Sequence, residues 1–106
     1  MTEGYAATPA PPEPADRLAA AVLAVPGVAA LHPGMFGEVG TYLPGRRVAG
    51  IRLTDTVVDV HVVVVFGVAV RDTAAAVRSV VGSLHPGVEV NVTVEDVAPA
   101  PTNGMP

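Results

Sequence analysis

The chain contains no cysteine, no lysine and no tryptophan, and only four aromatic residues, two Phe and two Tyr. Without cysteine there is neither a disulfide framework nor a thiolate metal site, and the redox compartment is not legible from thiols. All six basic residues are arginine, and the net charge is −4. That balance argues against general electrostatic attraction to nucleic acid or anionic lipid. With so few aromatics among 50% apolar residues, the core must be assembled from Val, Ala and Leu. The longest apolar run, Val62 to Val70, is interrupted by Gly67 and is less than half of the ~20 residues that a membrane-spanning helix needs. The sequence thus predicts no bilayer insertion. Residues 1–14 carry no basic residue and no apolar stretch of signal-peptide length, so no export signal is expected.

At 106 residues there is room for one domain, which buries roughly 60–65% of the surface its unfolded chain exposes. Residues 1–14 contain four prolines and almost no large apolar side chain; burial there cannot offset ordering entropy, and a disordered arm is expected. Residues 98–106 (APAPTNGMP) share that character and read as a second loose tail. The folded unit is expected over residues 15–97.

Within it, Asp16 is positioned to cap a helix through Leu18–Leu23 that ends at Pro26-Gly27. Gly27 to Leu31 reads as a brief strand, and the Gly-rich stretch from His32 to Gly45, with Met35, Phe36 and Tyr42, reads as a loop with at most one helical turn. Arg47 to Leu53 predicts a strand that pairs as a hairpin, across the Thr54-Asp55-Thr56 turn, with the run Val57–Phe66. In that run Asp59 and His61 alternate with Val58, Val60 and Val62, and both faces turn apolar beyond His61. This pattern predicts a central strand partly covered by a helix. Asp72 is the expected cap of the strongest helix, Thr73–Leu84, where Val77, Val80, Val81 and Leu84 share one face. The last strand, Val88–Val94, alternates inward valines with outward Glu89, Asn91, Thr93 and Glu95. The order predicts an α+β fold, with two helices packed on one face of a small, mainly antiparallel sheet.

Catalytic equipment is sparse. The two serines, Ser79 and Ser83, lie in the helix without a G-x-S-x-G elbow. Gly34, Gly37 and Gly40 recur every three residues without the strand and helix that a phosphate loop requires. Asp59 and His61 lie two apart on one strand face, a geometry used by metal sites, but spacing supplies no third ligand. His32 and His85 each precede a proline in a turn, where capping is commoner than ligation. Arg46-Arg47, with Arg52 nearby, is the single basic cluster; a KH-type RNA module is not supported, since no G-x-x-G loop joins two helices. The expectation is a protein without enzymatic activity, cofactor or metal.

Leu18–Val97 resembles the bacterial alkaline shock (envelope stress response) protein domain. The likeness is carried by a helix running into Val25-Pro26-Gly27-Val28, by a Val-rich strand ending in Val65-Phe66-Gly67-Val68, and by the final Val90-Asn91-Val92-Thr93-Val94 element. In place of the family's short first strand the chain has its Pro-rich arm. The resemblance implies a cytoplasmic, non-catalytic protein that associates with the inner face of the cell membrane through an anchored protein partner, and that self-associates as a homo-oligomer, with no nucleic acid bound. Exposed Val-rich strand edges offer a physical route to such association by sheet augmentation. The candidate partner-contact residues are therefore Arg46, Arg47 and Arg52 on the 46–53 strand, and Glu89, Asn91 and Thr93 on the last. The alternative reading is a small-ligand or metal-binding regulator using Asp59, His61 and the Met35/Phe36/Tyr42 loop.

Overall fold

The computed structural model describes residues 13–100; the expected arm, apart from its last two residues, and most of the expected tail lie outside that range. Two helices, α1 (Pro14–Leu23) and α2 (Val70–Leu84), accompany six strands: β1 (Val28–Leu31), β2 (Gly40–Leu43), β3 (Arg46–Ala49), β4 (Ile51–Leu53), β5 (Val57–Val65) and β6 (Glu89–Ala98). The α+β class with a mainly antiparallel sheet is as the sequence predicts. β5 pairs antiparallel with β1 and with β4, and β2 pairs antiparallel with β3, while β6 runs parallel to β5.

The central position of β5 follows from its residues. Val58, Val60, Val62 and Val64 are buried and enter one core with Leu18 and Val22 of α1, Ile51 of β4, and Val77 and Val81 of α2. The intervening residues are only half-buried, because both helices pack on the face that carries Val58, Val60, Val62 and Val64. One edge of β5 is shared by two strands, β4 along Val58–Val60 and β1 along Val62–Val64. His61 stands at their junction: its N–H donates to Gly50 (3.0 Å) and its carbonyl accepts from His32 N–H (2.8 Å). The other edge of β5 is lined along its whole length by β6.

Several boundaries differ from the sequence reading. Asp16 is not the N-cap of α1; Glu13 is, with Pro14 at the first helical position and Asp16 answering it three residues on in a capping box. Likewise α2 is entered from Ala69, so Asp72 lies within the first turn and favours the helix through the dipole instead of through a cap. The expected 47–53 strand is two strands broken at Gly50, whose φ of +84° no strand residue adopts. The 32–45 stretch is not all loop, since its last part forms β2 and turns at Pro44-Gly45 into β3. The Thr41 hydroxyl fastens this hairpin to β4, donating to Ile51 O (2.6 Å) and accepting from Leu53 N–H (3.1 Å). Finally, β6 continues to Ala98 through a bulge that leaves Glu95 unmatched between the pairs Val62/Val94 and Val63/Asp96.

Candidate functional site

The uncovered face of the main sheet gathers four of the six candidate contact residues. Arg52, Glu89, Asn91 and Thr93 are all exposed, and the register sets Arg52 opposite Asp59, Asp59 beside Asn91, and His61 beside Thr93. The Asn91 amide donates to Asp59 Oδ1 (3.1 Å). His61 Nδ1 lies 2.5 Å from Glu95 Oε2, within hydrogen-bonding distance, each side chain 18% exposed. The bulge at Glu95 brings that carboxylate onto the imidazole.

Arg46 and Arg47 do not join this group. Arg46 grips Asp16 of α1 with both terminal nitrogens, at 2.6 Å each. The guanidinium holds the Asp16 carboxyl below the usual carboxylate range, and Asp16 in turn raises the Arg46 value. Arg47 folds back across Gly40, donates to Gly37 O (2.6 Å) and stacks 5.3 Å from the centre of the Tyr42 ring. Both arginines are therefore spent within the molecule, holding the β2–β3 hairpin to α1 and to the preceding loop.

That loop is more ordered than a Gly-rich sequence suggests. Gly34 N–H donates to His32 Nδ1 (3.0 Å), Phe36 N–H to Glu38 Oε1 (3.0 Å), and Val39 N–H to Pro33 O (2.8 Å). Backbone N–H groups of Glu38 and Phe36 hold the Glu38 carboxyl below its ordinary value. Met35 and Phe36 stand on this frame 79% and 88% exposed. Sequence reasoning singled out these apolar residues but had no signal for the hydrogen-bonded turn beneath them.

No family model, curated protein or solved structure matches this chain.

The Asp59–His61 pair does not acquire ligands in space that it lacks in sequence. Among the described residues no three His, Cys, Asp or Glu side chains converge on a point where a metal could sit, and both groups already have partners. His32 accepts the Gly34 N–H at Nδ1, and His85 stands at the C-cap of α2, where its backbone N–H donates to Val81 O. The feature that remains open to another molecule is backbone. β6 is ten residues long and pairs with β5 alone among the described residues. Glu89 N–H donates to Thr56 O (3.0 Å), which turns the backbone of Glu89, Asn91 and Thr93 toward β5. Strand alternation then directs the N–H and C=O groups of Val90, Val92 and Val94 to the free edge. No helix among the described residues is long and apolar enough to cross a membrane.

Proposed function

We propose that this chain is a non-catalytic association protein of the alkaline shock type, binding a protein partner by strand addition to β6. The single observation that supports this most is the long strand that, among the described residues, is paired on one side only, with three alternate valines, Val90, Val92 and Val94, presenting free backbone groups. Such an edge is a template for another chain, since main-chain hydrogen bonds supply affinity and alternate side chains supply specificity. The sequence likeness at 25–28, 65–68 and 90–94 adds the setting: a cytoplasmic protein held at the inner face of the membrane by an anchored partner.

The test is crosslinking in native cells followed by membrane fractionation, comparing the wild-type chain with Val92→Pro. The Val92 N–H faces the free edge, so proline there removes a donor without breaking the β5–β6 ladder. A membrane-fraction crosslink that wild type forms and the variant loses supports the reading. Recovery of both as unpartnered species in the soluble fraction overturns it.

A further inference from the structure

The edge of β6 carries chemical information about what it pairs with. From Glu89 to Val94 there is no proline, glycine or bulge, and no charge on the side facing the helices. Proline, a bulge and inward-pointing charge are devices by which natural sheets block pairing at an edge, and none of them appears on this strand before the Glu95 bulge. A strand laid along this stretch continues both faces of the sheet. Its side chains on the helix side extend the row of half-buried Val90, Val92 and Val94, and those on the other side stand beside Glu89, Asn91 and Thr93.

On β5 and β6 the formal charge of that outer side has one sign. Asp59, Glu89, Glu95 and Asp96 are the carboxylates of β5 and β6, and neither strand carries an arginine. Glu89 is exposed and makes no ion pair among the described residues. The one arginine on the sheet's open face, Arg52, lies on β4, beyond β5 from the free edge. His61 is engaged by Glu95. Arg71 and Arg78 belong to α2, which covers the opposite face.

From this we infer that the segment received at β6 is an extended stretch of a different protein in which apolar residues alternate with basic ones. The inference rests on the association reading above and adds the partner's chemistry. The same charges disfavour a second copy. An antiparallel pairing of two β6 strands centred on Val92 would align the free-edge valines of both copies, and it would set Glu89 of each against Glu95 of the other. Like charges placed directly opposite destabilise a strand pair.

The experiment uses the full-length chain with synthetic peptides of about eight residues, a usual strand length, that alternate Val–Lys, Val–Ser or Val–Glu. Binding is read by fluorescence anisotropy at low and high salt and by amide exchange along β6. The Val–Lys peptide is expected to bind about tenfold tighter than Val–Glu at low salt, with the gap closing as salt rises. It should protect the amides of Val90, Val92 and Val94. Glu89→Lys, at an exposed and unpaired site, should weaken Val–Lys binding roughly two- to fivefold and strengthen Val–Glu. Equal binding of all three peptides would overturn the basic-partner inference and leave the edge reading standing. Protection of the same amides in the chain alone, with a concentration-dependent dimer in sedimentation, would make the occupant a second copy and overturn it too. No binding and no protection with any peptide would remove the edge reading itself.

Discussion

Gly50 lies against Leu31. A Cβ at position 50 would stand 2.7 Å from the Leu31 Cβ and 3.1 Å from the backbone nitrogen of His32. The glycine is needed twice over, for that close approach and for its φ of +84°. It is also where β3 gives way to β4, and its carbonyl receives the His61 N–H. Gly50→Ala therefore forces either the junction of β1 and β4 apart or the backbone out of its conformation. A loss of about 2–4 kcal/mol is expected, read as a lower urea midpoint with an unchanged slope.

Val62 and Val63 are adjacent in β5 but face different surroundings. Val62 is fully buried beneath the helices, whereas Val63 is half-buried on the open face. Truncation of Val62 to alanine should cost about 2–3 kcal/mol, from lost transfer energy plus the cavity left behind. Val63→Ala should cost under about 1 kcal/mol, because solvent or neighbouring side chains fill the space. Equal losses, measured by chemical denaturation, would mean that the second face is covered as well.

Alternation of Asp59 and His61 with Val58, Val60 and Val62 made the central strand and its buried face legible, although beyond His61 the apolar run gave no sign that one face stays only half-buried, and the i, i+3, i+4 pattern at Val77, Val80 and Val81 made α2 legible. Periodicity reports which face is covered, not which strand lies alongside. The parallel pairing of β5 with β6 follows from the crossover through α2, a strand-helix-strand order present in the sequence but not specific by itself. The break at Gly50 was hidden because Val48, Ala49, Ile51 and Leu53 read as one apolar run. What interrupts it is contact with Leu31 and His32, residues remote in sequence. The Arg46–Asp16 pair spans thirty residues, so no spacing rule could join them, and Arg46 looked free for a partner. Glu89, Asn91 and Thr93 were readable as outward-facing because a strand's period of two needs no tertiary information.

The Arg46–Asp16 pair ties the start of α1 to the β2–β3 hairpin, and its pH dependence has a definite sign. Asp16 is held below its ordinary value by Arg46. A carboxyl depressed in the folded state contributes stability that is present above its unfolded pKa and is lost as pH falls through the folded one. Asp16→Asn should therefore lower the melting temperature slightly at neutral pH. The difference from wild type should vanish below the depressed Asp16 value, and shrink in high salt because the pair is exposed. Thermal melts of both proteins across the acidic range check this; a difference that grows on acidification would reverse the assignment.

Gly40 offers the converse of Gly50. A Cβ there would overlap the guanidinium of Arg47, yet what it meets is the end of a flexible side chain, and Gly40 has no positive φ. In Gly40→Ala the guanidinium is expected to swing out, giving up its bond to Gly37 O and its stacking on Tyr42. Removal of the strand glycine itself favours the extended state. The net stability change should stay within about 1 kcal/mol, far from the loss at Gly50. The effect should instead appear locally, as faster amide exchange at Phe36 and Val39, whose loop loses its tie to the hairpin while keeping its own turn bonds. Unchanged exchange there would show that the His32, Pro33 and Glu38 contacts alone hold Met35 and Phe36 in place. Arg47 would then be left with the Tyr42 ring as its structural role.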